Sequence, residues 1–222
     1  DILDAEIQRI LDLGDIEVVL NTRVGKDVPL EDVEKSHDAV LWTIGCWNGR
    51  SLPVEGSDAE NCLNGVEFLE AFSQGRLKVG AQKVVCVGGG DTSIDVVSVA
   101  RRLGHISNMN PQEKPEAVVH GYVAQDVSEQ AIKEGAEVTL TSLFKREEMT
   151  AAEQEVNDAM HEGVSILNGV IPVKVEQDKN GRATALVVAD CTFEENIPKP
   201  IKGTEKVIEA DLIISAIGQS PD

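Results

Sequence analysis

The chain has 222 residues and a formal charge of −19. That length allows one large or two small domains with an ample core. The acidic balance disfavours nucleic acid and anionic membrane as partners, because their phosphates would be repelled.

Ile2, Leu3, Ile7, Ile10, Leu11 and Leu13 recur at helical spacing until Gly14, which predicts a helix over residues 2–13. Residues 17–21 read as a short strand, residues 21–27 as a polar turn, and residues 29–35 as one or two helical turns. Residues 38–45 (Asp-Ala-Val-Leu-Trp-Thr-Ile-Gly) read as a buried strand ending in glycine. Gly49, Pro53 and Gly56 then mark a crossover loop over residues 46–58 and a candidate domain boundary. Asn64 is placed to cap a helix that carries Val66, Leu69 and Phe72 on one face and ends near Gly75.

The stretch from Lys83 to Gly104 organises the rest. Val84 to Val87 is an apolar run of the kind found in a buried parallel strand. Three glycines follow, Gly88, Gly89 and Gly90, and then Ile94, Val97, Ala100 and Leu103 trace a helix face. Gly88-x-Gly90-x-x-Ser93 is a variant dinucleotide fingerprint, with serine where a third glycine or alanine is usual. Strand, glycine turn and helix start suit a pyrophosphate, because backbone can approach closely and free N–H groups face the anion. Thr92 and Ser93 would stand at that helix start. Asp91 would repel a phosphate, so a helix-capping role is favoured for it, with Thr92 as competitor.

Residues 105–125 are polar and aperiodic and read as a surface insertion, followed by a short helix over 126–135. Residues 137–144 form the next predicted strand, with Lys145 and Arg146 at its carboxyl end. A cationic pair there suits the 2′-phosphate of NADPH, whereas an acid would suit NADH. The competing reading is a solvated turn neutralised by Glu147 and Glu148. Thr150 is read as the cap of a helix through His161, before a strand at 164–167. Strands at 170–176 and 182–188 flank Asp178-Lys-Asn-Gly181, a hairpin signal. A loop over 198–203 and strands at 205–208 and 211–217 close the chain.

Cys46, Cys62, Cys86 and Cys191 show no metal or redox spacing and fit packing roles in a reducing, cytoplasmic setting. The four histidines have no partner spacing that suggests a metal or a triad. No apolar stretch approaches membrane-spanning length. The chain opens in a helical pattern without methionine and is read as a piece of a longer protein.

Gly88-Gly-Gly-Asp-Thr-Ser-Ile-Asp95 resembles the nicotinamide-binding motif of glutamate synthase small (β) subunits and their relatives. Four further segments match in order. Residues 4–28 and 38–45 resemble flavin-domain pieces, Lys145-Arg146-Glu-Glu-Met149 resembles the family's Arg-Arg stretch, and residues 210–221 resemble the strand that crosses back. The resemblance implies two interleaved dinucleotide-binding domains. The fold class expected is α/β, a Rossmann-like parallel sheet with an antiparallel meander and flanking pieces of an FAD-type domain. Residues 1–52 would be a partial FAD-binding segment, 53–217 the NAD(P)H-binding domain, and 218–222 the return to the flavin domain.

It implies hydride transfer from NADPH (NADH remaining open) to FAD in the full-length protein, and electrons passed on to a larger partner subunit. Gly88, Gly89, Gly90, Asp91, Thr92 and Ser93 would hold the cofactor's diphosphate end, Lys145 and Arg146 its 2′-phosphate, and Ala216, Ile217 and Gly218 the nicotinamide side. Lys145 replaces the first arginine of the family's pair, and the family's flavin fingerprint and amino-terminal iron–sulfur cysteines are absent from this chain. The isolated piece is therefore expected to be inactive and not to hold FAD alone. The rival reading is a non-catalytic nucleotide-sensing α/β module. A small-molecule NADPH dehydrogenase would need an acid or base that the sequence does not offer.

Overall fold

The computed structural model describes residues 2–74, 76, 81–103 and 136–221. The expected insertion at 105–125 and helix at 126–135 lie outside them. The chain divides into two compact units, Asp1–Ile44 and Gly45–Asp222.

The first unit contains α1 (Ile2–Leu11) and α2 (Leu30–Ser36), neither of which buries a residue. A turn joins them, in which the Arg23 N–H donates to Asp27 Oδ2 at 2.8 Å and the Gly25 N–H to the Val28 carbonyl at 2.7 Å. The strands expected at 17–21 and 38–45 are not formed. A strand is stable only when a neighbour satisfies its backbone groups. Among the described residues no strand pairs with either segment, and Leu41, expected in a core, is 87% exposed.

In the second unit the order is β1 (Asn48–Gly49), β2 (Cys62–Asn64), α3 (Gly65–Ser73), β3 (Lys83–Gly88), α4 (Asp91–Leu103) and β4 (Glu137–Ser142). A 3-10 turn (Arg146–Glu148), α5 (Glu153–His161) and β5 (Ser165–Asn168) follow. The chain closes with β6 (Val170–Gln177), β7 (Ala183–Glu194), β8 (Ile197–Pro200), β9 (Lys206–Glu209), β10 (Leu212–Ala216) and β11 (Gln219–Ser220). Five strands make one parallel sheet in the order β2-β10-β3-β4-β5. The chain builds β2, β3, β4 and β5 outward, and β10 then returns to fill the place between β2 and β3. This is the expected α/β class with its antiparallel meander.

The period of two in the buried strands explains the layering. Val84 and Cys86 of β3, with Leu212 and Ile214 of β10, face the helix layer. There they share a core with Phe68 of α3, Val96 and Val97 of α4, and Val156 of α5. Val85 and Val87, with Ile213, face the other way and pack with Val175 of β6 and Leu186 and Val188 of β7. Truncation of the fully buried Phe68 to alanine would cost about 3–5 kcal/mol.

Local chemistry sets the ends. Asn64 Oδ1 accepts the Glu67 N–H at 2.9 Å, while its Nδ2 donates back to the Glu67 carboxylate at 2.8 Å, the expected cap of α3. In the β6–β7 turn Asp178 Oδ1 accepts the N–H groups of Asn180 (2.8 Å) and Arg182 (3.0 Å), and Gly181 has φ +78°. The hairpin signal is realised. Two other expectations change. The expected loop at 198–203 begins inside β8, which pairs with the far end of β7. Within the crossover at 46–58, Leu52 sits in the second core and Gly56 lies against the backbone of Val175. Finally, α5 starts behind Ala152, and Thr150 does not cap it.

Candidate functional site

In an open parallel sheet the crevice for a ligand lies beyond the strands' carboxyl ends, where the strand order reverses. Here that point is β3, between β4, which follows it, and β10, which comes back from the chain's end. The glycine turn lies there, and each glycine meets something different. A Cβ on Gly88 would sit 2.5 Å from the Ala216 carbonyl oxygen, so this glycine permits β3 and β10 to pair closely. A Cβ on Gly89 would meet Ser142 Oγ at 2.7 Å, and one on Gly90 only Thr150 Oγ1 at 3.3 Å. Gly88 is thus demanded by backbone packing, a side chain at 89 would have to displace the Ser142 hydroxyl, and one at 90 would press on Thr150.

Helix α4 starts at Asp91, and the first-turn N–H groups of such a helix have no partner within it. Ser93, the variant third position, is fully buried, and its hydroxyl donates to the Gly90 carbonyl at 2.6 Å. It braces the turn from beneath. Asp91 does not cap its own helix as expected. Its Oδ1 accepts the N–H of Ala152 at 3.3 Å, at the start of α5. The Gly89 carbonyl accepts the N–H groups of Thr150 and Ala151, both at 3.1 Å. Residues 150–152 are therefore strapped to the glycine turn, which is why Thr150 is unavailable as a cap.

The turn opens onto a cavity of about 810 Å³. Gly88, Gly89, Gly90, Asp91 and Thr92 line one end, and Ala216, Ile217, Gly218 and Gln219 an adjoining wall. Leu52, Pro53, Val54, Ile171, Pro172 and Pro198 form the apolar side, while Thr141, Ser142, Phe144 and Thr150 stand at the ends of β4 and the strap. Among the described residues its ionisable lining groups are Asp91 and Cys46. An apolar cavity with polar groups gathered at one end suits a cofactor better than acid–base work.

Lys145 and Arg146 are not brought into this lining. They follow Phe144 directly, at the head of the 3-10 turn. The Arg146 guanidinium donates to Asn157 Oδ1 at 2.7 Å and lies 3.1 Å from Met160 Sδ. The Lys145 N–H donates to the Glu148 carboxylate at 3.3 Å. Ser93, buried below the turn, is also outside the lining.

The incoming and outgoing segments pair at the same edge. β1 and β11 form an antiparallel ladder, Asn48 against Ser220 and Gly49 against Gln219. The Arg50 N–H donates to the Gly218 carbonyl at 3.0 Å, and Ser215 Oγ donates to the Arg50 carbonyl at 2.7 Å. Gly218 takes φ +115°, a region only glycine occupies comfortably.

Sequence reasoning missed Ser142, Phe144, Thr150, Pro198 and Gln219 as wall residues. Ser142 and Phe144 had a usable signal, since they end a predicted strand beside the glycine strand. Pro198 had none, because β8 reaches the cavity through a hairpin from the far end of β7. Phe144 is further fixed by stacking on Phe193, with ring centroids 5.9 Å apart and planes 15° from parallel.

Residues 3–222 match the family model described as pyridine nucleotide-disulphide oxidoreductase. The chain is 32% identical to the NADPH-Fe(3+) oxidoreductase subunit beta of Geobacter sulfurreducens over all of its own length and 30% of that protein's. It is 26% identical to the glutamate synthase [NADPH] small chain of Escherichia coli K12, across 93% of this chain and 41% of the other. It thus spans less than half of these relatives. Among solved structures, Mycobacterium tuberculosis FprA in complex with NADPH superposes with a TM-score of 0.66 at 12% identity, covering 90% of this chain and 54% of that one, a likeness of fold. With the switch-point glycine turn, the meander and this match over nearly every residue, the chain belongs to the pyridine nucleotide-disulphide oxidoreductase family, whose members bind FAD and NAD(P)H.

Proposed function

We propose that this chain supplies the NADPH-binding part of a flavin-dependent oxidoreductase whose electrons pass to a partner subunit, as in glutamate synthase small-subunit-like proteins. Residues 53–217 are the nicotinamide-nucleotide domain in this reading, and residues 1–52 and 218–222 belong with a flavin-binding domain. The observation that carries it is the glycine turn at the strand switch point, opening onto a largely apolar 810 Å³ cavity. The residues fit a dinucleotide. Gly90 lines the cavity with no side chain of its own, the first turn of α4 presents backbone N–H groups, and the apolar wall suits a planar ring.

When bound, a reduced nicotinamide supplies hydride to a flavin. The chain's own residues bind and orient. Gly89, Gly90, Asp91 and Thr92 would receive the diphosphate through backbone and hydroxyl donors. Ala216, Ile217 and Gly218 would border the nicotinamide and, with Leu52 and Pro172, keep water from it. Lys145 and Arg146 would take the 2′-phosphate, with Arg146 leaving Asn157. No acid or base is required of the protein, in keeping with the scarcity of ionisable groups in the cavity.

The names of the relatives, a subunit beta and a small chain, support a larger partner. Four free cysteines suit the cytoplasmic setting proposed with it. Among the described residues no helix is long and apolar enough to cross a membrane. Titration calorimetry of the chain with NADPH and NADH tests the reading. Binding of NADPH ahead of NADH is expected, and no heat from either at millimolar concentration would overturn it.

A further inference from the structure

The outgoing strand reaches back to the phosphate end of the cavity through one side chain. Gln219 Nε2 donates to Thr92 Oγ1 at 3.3 Å, across 127 positions of sequence. Both residues are half-buried and both line the cavity. Gln219 is not free to wander, because its backbone pairs with Gly49 in the β1–β11 ladder and Gly218 just before it is held by the Arg50 N–H.

A threonine hydroxyl has one proton to give and lone pairs to offer. With the Gln219 amide donating to its oxygen, the Thr92 proton is left to point elsewhere, toward an acceptor in the cavity. Thr92 lies in the first turn of α4, where the backbone N–H groups already favour an anion. We infer that Gln219 is a positioning residue for dinucleotide binding, acting by fixing the Thr92 hydroxyl as a donor to a diphosphate oxygen. The inference rests on the nucleotide-binding function proposed above. It adds a residue from the outgoing strand to a site otherwise built by the glycine turn, and it names the diphosphate as the group that residue serves.

The amide's orientation gives the idea its sharpest consequence. A carboxylate at position 219 would accept the Thr92 proton instead of leaving it for the ligand, and would add a negative charge near a phosphate. Gln219→Glu, nearly identical in shape, should therefore be worse than Gln219→Ala. The diphosphate is common to NADPH and NADH, so each substitution should weaken both ligands by the same factor.

The experiment is titration calorimetry of NADPH and NADH on the wild-type chain, Thr92→Val, Thr92→Ser, Gln219→Ala, Gln219→Glu and the Thr92→Val/Gln219→Ala double variant, with thermal unfolding as a fold control. Thr92→Val and Gln219→Ala should each lose about tenfold in affinity, the scale of a hydrogen bond to an ionised group. The double variant should be no weaker than Thr92→Val alone, Thr92→Ser should keep wild-type affinity, and Gln219→Glu should lose more than Gln219→Ala. If wild type binds but the two losses multiply, or Gln219→Glu matches wild type, the positioning role is wrong while nucleotide binding stands. If wild type binds neither nucleotide, the functional reading and this inference fall together.

Discussion

Gly88 and Ala216 stand so close that a Cβ on the glycine would lie 2.5 Å from the alanine's carbonyl oxygen. They are register partners in the β3–β10 ladder, so the contact is backbone against backbone and cannot be relieved by rotating a side chain. Gly90, two residues on, meets only a threonine hydroxyl at 3.3 Å. One fingerprint thus holds glycines kept for different reasons.

That difference can be measured. Gly88→Ala should destabilise the fold by roughly 1–3 kcal/mol, the usual cost of overpacking, because β3 and β10 must part. Gly90→Ala puts a methyl 3.3 Å from Thr150 Oγ1, a hydroxyl that lines the cavity, and should cost less stability than Gly88→Ala yet weaken NADPH binding severalfold. Urea melts with calorimetry on both variants separate the two. Equal stability losses would show that the turn's glycines serve packing alone.

Asn61 offers a second test, of the junction between the two sheets. It is 4% exposed, accepts the Ala183 N–H at 2.8 Å, and donates to the carbonyls of Ala183 (2.9 Å) and Asp211 (2.8 Å). Asn61→Ala would strand a buried N–H and should cost about 1–3 kcal/mol. Asn61→Asp keeps the acceptor but turns a carboxylate toward two carbonyl oxygens in a buried place. Both effects raise the carboxyl's folded-state pKa above its unfolded value. Its destabilisation should therefore be slight below the ordinary carboxyl pKa and grow as pH rises through it toward neutrality. A pH series of melts that shows the variant's deficit independent of pH between 3 and 7, roughly the range flanking that value, would count against this placement.

The 2′-phosphate assignment has its own signature. Lys145→Glu with Arg146→Glu should lower NADPH affinity at least about tenfold, the scale of losing two charge-assisted contacts, and leave NADH nearly unchanged. Asn157→Ala frees the Arg146 guanidinium from its 2.7 Å partner and should, if anything, favour NADPH. Equal losses for both nucleotides in the charge-reversal variant would place these residues outside the phosphate's reach.

The sequence made the parallel core legible, and the reason is periodicity. Val84 to Val87 and residues 211–217 are short apolar runs bounded by glycine or charge, and buried strands have few other ways to look. The glycine turn was legible because its backbone demands are local. Lys145 and Arg146 were easy to notice as charges, but charge says nothing of where a guanidinium points, and Arg146 points to α5. The strands expected at 17–21 and 38–45 show the opposite failure: apolar residues fit for a strand remain without one when no ladder lies beside them. Gln219 was invisible, because its partner Thr92 is 127 positions away and only the return of β10 beside β3 brings them together.

The cysteines supply a probe of the cavity that needs no mutation. Cys46 is exposed and lines the cavity, whereas Cys86 is fully buried and its thiol is pushed well above its ordinary range by burial. Burial, with a smaller contribution from Asp58, lifts Cys62 to about 11, and Cys191 is raised by burial as well. The thiolate is the reactive form, so at mildly alkaline pH buried Cys86 should alkylate only when the fold opens, and half-buried Cys62 should react slowly. Cys46 should react first, and saturating NADPH should slow it severalfold by filling the space beside it. Mass spectrometry of peptides after a timed pulse of a maleimide reads all four sites at once. Protection of Cys46 with unchanged Cys191 labelling would locate the ligand in the cavity. Uniform protection of both would instead mean that the nucleotide tightens the whole fold, and unchanged labelling of Cys46 would put the bound nucleotide elsewhere.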